Sequence, residues 1–349
     1  MKVGSLFTGY GGLDLAIGGD LAWYSEIEPA AIQILEHHFP GVPNLGDITK
    51  INWDEVEPVD IITGGYPCQP FSHAGSRKGS GDVRHLWPHV REAIRTIRPD
   101  FAVLENVRGH VTLGLKEVLG EIADIGFDAE WGTFRASEVG APHRRERIFI
   151  VASNTSRWSG RAGERWSYLQ SEGSTGSSAQ DSGSGFTTNT DSDGHGERVH
   201  AGRMGSLEGE AEGEAQQRER SREVSESGSL QVVADTDGSS WETRIDTGRN
   251  GERLREEPLG STLNTWGDYT EAITRWETVL GRAVPDPTVV DEKTSKLRLN
   301  PVFVEWMMGL PTGWVTGHGL SRAKELKMLG NGVVPQQARV AVGLLACRV

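Results

Sequence analysis

Short apolar runs alternate with amphipathic stretches along the first 152 residues of the chain. Five runs have the length and composition of strands, namely KVGSLF, AWYSEIE, VDIITGG, FAVLENV and RRERIFIVAS. Between them, PAAIQILEHHF, HVREAIRTIR and LKEVLGEIADIG carry apolar residues at helical spacing. Strands separated by helices of about ten residues imply a mostly parallel sheet covered on both faces. The pattern therefore predicts an α/β fold, in which ligands bind at the carboxyl ends of the strands.

The pattern changes near Asn154. From there to about Gly260 the chain is rich in Gly, Ser, Glu and Arg, and a loose repeat ending in Gly-Glu-Arg recurs. This composition predicts an insert over about 155–260 that is largely irregular and flexible. A loop-rich recognition domain that is ordered by its ligand is the alternative. Beyond it, YTEAITRWETVL and NPVFVEWMMGLP predict helices, and MLGNGVVPQQARVAVGLLA predicts a turn followed by an apolar helix.

Composition excludes several classes of protein. The chain has 349 residues and only two cysteines, which cannot form a disulfide framework and have no zinc-ligand spacing. We therefore expect a reducing, cytoplasmic setting and no metal. No run of about 18 apolar residues predicts a membrane span. The net charge of −13 argues mildly against a protein that coats nucleic acid. Residues 291–349 are nevertheless basic, so a local surface could hold a polyanion.

The glycine-rich TGYGG after the first predicted strand has two interpretations. It is either a tight strand-to-helix turn or a place where a nucleoside approaches the backbone closely. The spacing of Gly9, Gly11 and Gly12 does not match the dinucleotide-binding GxGxxG. Glu26 ends the next predicted strand and suits a ribose hydroxyl pair, while Asp47 could accept a hydrogen bond from an adenine amino group. No Lys or Arg lies near the glycines, which favours an adenosyl ligand with little phosphate.

Cys68 follows a predicted strand at the ligand edge, between Pro67 and Pro70. A free cysteine is usually an inert buried side chain, but a loop stiffened by prolines can also aim a nucleophile. No histidine base is evident, since His73 lies five residues further along. A hydrolase-like Cys/His pair is therefore disfavoured.

Three charged residues could assist such a nucleophile. Glu105 comes directly after apolar residues of a predicted strand and is either an exposed terminus or a functional acid. Alternation along RRERIFIVAS places Arg145 and Arg147 on one face, with Arg144 and Glu146 on the other. The simpler interpretation of the two arginines is a salt-bridged strand edge.

Eight short blocks occur along the chain in this order: SLFTGYGGLDLA, YSEIEP, GDI, GGYPCQPFS, LENV, APHRRERIFIVA, RLNPVFVEWMMGLP and LGNGVVPQQA. This series resembles the conserved blocks of the DNA (cytosine-5)-methyltransferases, over residues 3–152 and 298–342. The resemblance implies a Rossmann-like, S-adenosylmethionine-dependent methyltransferase fold with a mostly parallel sheet, plus a small, loop-rich target-recognition domain. It divides the chain into a catalytic domain (1–152), a target-recognition region (153–297), and a hinge segment with a C-terminal helix that returns to the catalytic domain (298–349).

The resemblance also implies a mechanism. The Cys68 thiolate would add to C6 of a cytosine flipped out of duplex DNA, which makes C5 nucleophilic toward the methyl group of S-adenosyl-L-methionine. Glu105 would hydrogen-bond the N3 edge. Arg147, with Arg145, would hold the O2 carbonyl and a phosphate. The products are methylated DNA and S-adenosyl-L-homocysteine.

The same resemblance assigns the remaining contacts. It implies cofactor contacts by Phe7, Gly9, Gly11, Glu26, Ile27, Asp47, Pro67 and Asn331, and DNA contacts by Gln69, Ser72, Arg77 and Lys78, which lie in and before a loop that resembles the family's mobile active-site loop. Three positions depart from the family pattern. Ser5 stands where an acidic residue is frequent, Ile27 where an aromatic residue is usual, and His143 where glutamine is common.

The expected substrate is double-stranded DNA, methylated by a monomer at a specific sequence in a restriction-modification system or in phage or prophage self-protection. A cognate restriction endonuclease is left open as a partner. Two alternatives share the blocks, namely a transfer-RNA cytosine methyltransferase and a catalytically inactive DNA-binding homologue. A nicotinamide-dependent oxidoreductase fails on the glycine spacing and leaves Cys68 unexplained. The recognition sequence cannot be read from residues 153–290, because base readout depends on side chains placed in the major groove.

Overall fold

The computed structural model describes residues 1–67, 86–156, 266–291 and 294–349, with Trp166 and the backbone of residues 231–234 and 241–244. Its centre is a six-stranded sheet, made of β1 (Lys2–Leu6), β2 (Asp20–Ser25), β3 (Ile61–Gly64), β4 (Phe101–Val107), β5 (Phe127–Arg135) and β6 (Glu146–Asn154). The strand order is β2-β1-β3-β4-β6-β5, and all pairings are parallel except the two that β6 makes. The predicted α/β fold with a mostly parallel sheet is confirmed.

Helices cover the sheet and complete the chain. They are α1 (Gly12–Ile17), α2 (Pro29–His38), α3 (Trp87–Ile97), α4 (Leu115–Asp124), α5 (Thr270–Leu280), α6 (Pro301–Met307), α7 (Arg322–Asn331) and α8 (Pro335–Ala346). A short hairpin, β9 (Thr288–Val290) with β10 (Leu297–Leu299), precedes α6. Within the described part of the chain, no helix combines the length and apolar character needed to cross a membrane.

Two elements depart from the sequence prediction. β5 was not predicted, because FDAEWGTFR is an edge strand in which charged residues interrupt the apolar alternation. α7 was predicted as part of a turn, because RAKELKMLGN is mostly polar; the Ser321 hydroxyl caps it by accepting a hydrogen bond from the Lys324 N–H at 3.4 Å. β5 is held by its antiparallel pairing with β6, and α7 by the burial of Met328 and Leu329, rather than by a strong local pattern.

Two short strands lie within the insert that was predicted to be largely irregular. They are β7 (Gln231–Ala234) and β8 (Trp241–Arg244), and they pair antiparallel. Trp166 is buried and packs edge-on against Phe101, with ring centroids 5.2 Å apart. The rest of the insert lies outside the described residues, and the predicted domain boundaries stay predictions.

Side-chain alternation gives the sheet two apolar faces. In β4, Ala102 and Leu104 project toward α3 and α4, whereas Phe101 and Val103 project toward α1 and α8. All four are buried, as the sequence predicted for strands covered on both sides. The C-terminal helix α8 therefore supplies part of the core beneath the N-terminal strands.

The C-terminal segment closes against the glycine-rich turn at a few tight contacts. The buried Tyr10 hydroxyl donates to the Val333 carbonyl at 2.7 Å. The Gln337 side chain donates to the carbonyls of Phe134 and Arg145, at 2.7 and 2.9 Å. At Gly332 there is no room for a side chain, since a Cβ atom would lie 1.8 Å from the Tyr10 ring. The second glycine of the LGNG block, Gly332, is thus required by the close approach of Tyr10.

We expect Gly332→Ala to destabilise the fold by about 3 kcal/mol or more, because an enclosed aromatic ring must move to admit the methyl group. Gly343→Ala in α8 is the matched control, since its Cβ would meet nothing within 4 Å. That change should stabilise by about 0.5–1 kcal/mol, through helix propensity alone. Urea unfolding of the three proteins measures both effects. Equal midpoints for the two variants would contradict this account of Gly332.

His143 lies behind the segment that leads into β6. Its Nε2 atom lies 2.9 Å from the Met307 carbonyl oxygen, at the end of α6. Burial lowers the pKa of His143 to about 4, and the nearby positive charges of Arg145 and Arg147 act in the same direction. The imidazole is therefore neutral in the folded protein at neutral pH.

This pKa predicts an acid-sensitive contribution to stability. The unfolded chain binds a proton at His143 near pH 6.5 and the folded chain only near pH 4, so stability is lost as pH falls through this window. The loss reaches at most about 3 kcal/mol once the pH is below 4. His143→Gln should remove this dependence, measured as the difference between the two proteins' unfolding free energies at pH 7 and pH 4.5. Parallel pH profiles for both proteins would refute the assignment.

Candidate active site

The carboxyl ends of four neighbouring strands lie level with one another. Leu6 pairs in register with both Ser25 and Gly64, and Gly64 pairs with Leu104. The residues that follow these four positions therefore lie level with one another at the edge of the sheet. They are Phe7, Glu26, Gly65 and Glu105. The sequence motifs predicted at the ligand edge are thus brought together by strand register alone.

The glycine-rich turn after β1 presents an open backbone. Phe7, Gly9 and Gly11 adopt left-handed conformations, with φ of 51°, 57° and 80°. A Cβ atom at Gly9 would meet nothing within 4 Å, so the space above this residue is open. The Gly9 N–H donates to Glu26 Oε2 at 2.8 Å, which joins the turn to the end of β2.

Glu26 is oriented by the backbone and keeps acceptor capacity. Its Oε1 atom accepts from the N–H groups of Ile27 and Glu28, both at 2.8 Å, and Oε2 accepts from Gly9. A carboxylate has about four acceptor positions, so one remains for a hydroxyl donor. The Ile27 side chain is 69% exposed beside it. An oriented acceptor, an open glycine turn and an exposed apolar side chain fit the ribose and base of an adenosyl group.

Asp47 stands next to this edge at the start of a short 3-10 helix, Ile48–Lys50. Its carboxylate accepts hydrogen bonds from the Thr49 N–H at 3.0 Å and from the Thr49 hydroxyl at 2.8 Å. These bonds hold the pKa of Asp47 below its usual value, so it remains an acceptor. The Ser25 hydroxyl donates to the Gly46 carbonyl at 2.6 Å, which positions this segment beside the end of β2.

Asp14 is a buried acid that sequence reasoning missed. Its carboxylate accepts from the Ser5 hydroxyl at 2.8 Å and from the Thr63 hydroxyl at 2.6 Å, which ties α1 to β1 and β3. Burial raises the pKa of Asp14, against these hydrogen bonds. An acidic residue on the apolar side of GLDLAI was the available signal. A carboxylate therefore lies beside Ser5 although position 5 itself is not acidic.

Glu105 and Arg147 form a buried ion pair at the same edge. Arg147 Nε lies 3.1 Å from Glu105 Oε1, and the two side chains are only 8% and 11% exposed. Their strands pair in antiparallel register, so both project to the face that carries Val103. Burial raises the pKa of Glu105, although Arg147 and Arg145 oppose the shift. The carboxyl group thus holds a proton more readily than an ordinary glutamate does.

Arg145 precedes β6 and has a left-handed φ of 32°. Its charge opposes the rise in the pKa of Glu105 together with that of Arg147, whereas Arg144 pairs with Glu146 at 3.3 Å. The two arginines therefore lie on one side, with Arg144 and Glu146 on the other, as alternation predicted.

Arg145 Nη2 donates to the carbonyls of Gly330 and Gly332, at 2.8 and 2.5 Å. Asn331 lies between these glycines at the end of α7 and is exposed. The arginine therefore orients the segment that carries Asn331.

The chain that leads from β3 to the predicted nucleophile is anchored by two side chains. Asn106 Nδ2 donates to the Tyr66 carbonyl at 3.0 Å, and the buried Tyr66 hydroxyl lies 2.7 Å from His110 Nε2. A Cβ atom at Gly65 would lie 3.3 Å from Glu105 Oε2, so this turn passes directly beside the acid. Sequence reasoning missed the roles of Tyr66, Asn106 and His110.

The remaining predicted residues follow this anchor. Pro67 is exposed at the end of the described segment. Cys68, Gln69, Ser72, Arg77 and Lys78 lie outside the described residues. Among the described side chains, no group of three or more His, Cys, Asp or Glu is arranged to hold a metal ion.

Two solved structures share the fold across almost the whole chain. The Dnmt2 methyltransferase of S. pombe superposes with a TM-score of 0.53 and 17% identity, over 99% of this chain and 97% of that one. A DNMT2 mutant of Spodoptera frugiperda gives 0.51 and 17%, over 97% of each chain. At this identity the likeness establishes the fold.

The sequence matches point to one family. Type II methyltransferase M.NgoBV of Neisseria gonorrhoeae is 33% identical over 154 residues, 41% of this chain and 36% of the relative. Type II methyltransferase M.NlaIV of Neisseria lactamica is 34% identical over 145 residues, 38% of this chain and 34% of the relative. The matched segments thus span about a third of these relatives' length. A family model described as C-5 cytosine-specific DNA methylase matches residues 1–343, and the chain therefore belongs to that family.

Proposed function

We propose that the protein transfers a methyl group from S-adenosyl-L-methionine to C5 of cytosine in duplex DNA, through a covalent adduct at Cys68. The observation that carries this proposal is the buried Glu105–Arg147 pair beside the turn at Gly65 that leads to Cys68. Acyl or phosphoryl transfer would not need a proton-holding acid next to a buried cation and a cysteine. Addition to a cytosine ring needs all three.

Cys68 and Glu105 act together in the first step. The Cys68 thiolate forms a bond to C6, and the electron pair of the C5–C6 double bond becomes available at C5. The charge that develops in the ring is met by proton transfer from Glu105 to N3, and burial raises the pKa of Glu105, which favours the acid form that this step uses. The protonated acid is thus consumed as the nucleophile adds, and no histidine beside the thiol is required.

Arg147 and the flipping of the base complete the proposed mechanism. Its guanidinium group, fixed by Glu105 and by the Glu146 carbonyl at 3.0 Å, has further N–H donors for the O2 carbonyl of the base. After methylation a water molecule accepts the C5 proton, the Cys68 sulfur leaves with the electron pair of its bond to C6 so that the C5–C6 double bond is restored, and N3 returns its proton to Glu105. A stacked cytosine cannot present C6 to this edge of the sheet, so the base is flipped out of the duplex.

The adenosyl edge supports the assignment of the cofactor. Glu26 would receive the ribose hydroxyl, Ile27 would contact the adenine ring, and Asp47 would accept from its amino group, with Phe7, Gly9 and Gly11 lining the turn. Bound S-adenosyl-L-methionine supplies the electrophilic methyl group. Arg145 holds the segment of Asn331 against this edge rather than contacting the base. The names of the type II relatives support sequence-specific methylation in a restriction-modification or phage setting, with a cognate endonuclease as partner, by a cytoplasmic monomer.

A trapping experiment tests the covalent step. The protein is incubated with tritiated S-adenosyl-L-methionine and random-sequence duplex DNA in which 5-fluorocytosine replaces cytosine, so that any target sequence is present. Fluorine at C5 cannot leave as a proton does, so a denaturant-stable adduct should accumulate. Cys68→Ala should abolish the adduct, and Cys347→Ala, which alters the exposed second cysteine, should retain it.

The same trial distinguishes the alternatives. Absence of an adduct with wild-type protein, or an adduct that survives Cys68→Ala, would refute the covalent mechanism. An adduct on 5-fluorocytosine RNA but not on DNA would replace the proposed substrate with RNA. Binding of DNA without any adduct would indicate an inactive homologue.

The role of Glu105 gives a separate prediction. Glu105→Gln should lower kcat by about 10²–10⁴, because glutamine can hydrogen-bond N3 but cannot deliver a proton. The wild-type rate should fall as pH rises above the raised pKa of Glu105, and the variant should lack this limb. Glu92→Gln, on the exposed side of α3, is the control. Thermal unfolding checks that Arg147 without its partner has not disrupted the fold. A wild-type kcat in Glu105→Gln would show that this carboxyl is not the acid.

A further inference from the structure

A group of arginines surrounds the amino end of β6, at the carboxyl edge of the sheet. The Glu146 side chain is 13% exposed, and its carboxylate oxygens form ion pairs with three of these guanidinium groups. The N···O distances are 3.4 Å to Arg108, 3.3 Å to Arg144 and 3.9 Å to Arg135. Arg135 is its cross-strand partner in β5. One carboxylate can neutralise only one of these three charges, so the group is strongly cationic.

A fourth arginine joins the group from outside residues 1–152, the predicted catalytic domain. Arg275 of α5 donates to the Gly140 carbonyl at 3.3 Å, and its aliphatic stem packs on Gly140. Arg135, Arg144 and Arg275 line one open cavity of about 480 Å³, with Pro142 and His143 in its wall. We call Arg108, Arg135, Arg144 and Arg275 the arginine rim.

Among the residues that the structure describes, Arg108, Arg135 and Arg144 share the carboxylate of Glu146, so cations outnumber this acid. The neighbouring Glu138 accepts the Arg135 backbone N–H through Oε2 at 2.9 Å. The pKa of His143 is lowered by burial to about 4, so the imidazole adds no charge at neutral pH. The Arg108 and Arg144 side chains are 69% and 65% exposed. A cationic, accessible cavity on a chain of net charge −13 is adapted to an anion.

The position of the rim identifies the anion. Glu146 and Arg147 are consecutive in β6, and strand alternation sends Arg147 to one face of the sheet and Glu146, with Arg135, to the other. One strand residue spans about 3.4 Å. A nucleotide whose base is held by Arg147 therefore brings the phosphates that flank it within reach of the rim. Guanidinium groups bind phosphate oxygens in bidentate geometry.

We propose that the arginine rim binds the backbone phosphates of the DNA strand next to the flipped cytosine, and that Arg275 lets the segment around α5 share this contact with the predicted catalytic domain. This assignment depends on the proposed function, because it takes DNA as the substrate. The contact is sequence-independent, since phosphates carry no base information.

Salt dependence of DNA binding tests the rim. Each phosphate neutralised by the protein contributes about 0.9 to the slope of log K against log salt. Arg144→Gln and Arg275→Gln should each weaken binding to a random-sequence duplex and reduce the slope by about 0.9, and the double variant by about 1.8. The ratio of wild-type to single-variant affinity should therefore grow about eight-fold for each ten-fold dilution of salt.

Controls separate the rim from general charge effects. Arg95→Gln removes the same charge from an exposed site on α3 that pairs with Glu92, and it should keep the wild-type slope. Arg144→Lys should retain most of the slope because it retains the charge. Thermal unfolding confirms that each variant is folded.

The outcomes distinguish this inference from the proposed function. Slopes of Arg144→Gln and Arg275→Gln equal to that of Arg95→Gln, or affinity losses that do not vary with salt, would overturn the arginine rim while leaving methylation intact. Methylation of duplex DNA by the wild-type protein is measured in parallel. If wild-type protein binds duplex DNA without methylating it, the proposed function fails and the slopes still decide the rim. If it does not bind, both fail.

Discussion

The hydrogen bond from Tyr10 to the Val333 carbonyl joins residues 323 positions apart, and the arrangement of the site depends on it. Tyr10 lies inside the glycine-rich turn, and Gly332 must be a glycine for its ring to fit. This contact seats α8 on the sheet face that β1 and β4 share with α1. Without the C-terminal helix, that face would expose apolar residues to water, at a free-energy cost of about 25 cal/mol for each Å² of apolar surface. The glycine-rich turn after β1 and the last helix of the chain are therefore parts of one packing unit.

The same closure is reinforced from its other side by a buried carboxylate. Glu305 in α6 accepts the N–H groups of Gly313, Val315 and Thr316, at 2.8, 2.6 and 2.9 Å. These bonds shape the loop that carries Trp314, whose Nε1–H donates to the Tyr10 carbonyl at 2.7 Å. The turn at Tyr10 is thus held through both its side chain and its backbone. Because removing one partner of a buried charge-assisted bond is costly, this loop is a rigid support for the turn.

The sequence predicted the fold where local pattern and tertiary packing agree. The five apolar strands and the helices between them were found because each is covered on both faces, and the carboxyl-edge position of Glu26 and Glu105 followed from that order. β5 was missed because an edge strand tolerates charge, and the hydrogen bonds from Arg145 to the carbonyls of Gly330 and Gly332 were missed because they join distant parts of the chain. Asp14, Tyr66 and Asn106 position the site through contacts between residues distant in sequence. Such contacts leave no periodic signal in a single chain.

Strand alternation also explains how one short segment can serve two electrostatic purposes. In Arg144–Arg145–Glu146–Arg147 the last arginine is buried beside Glu105, with Nε 3.1 Å from Oε1, and is shielded from bulk anions. Glu146 projects to the opposite face and collects exposed guanidinium groups that it cannot neutralise alone. A slip of one residue in β6 would exchange these environments, placing an acid beside Glu105 and a buried arginine among arginines. The antiparallel pairing of β6 with both β4 and β5 fixes its register from two sides, so a buried and an exposed charge environment lie one residue apart in this strand.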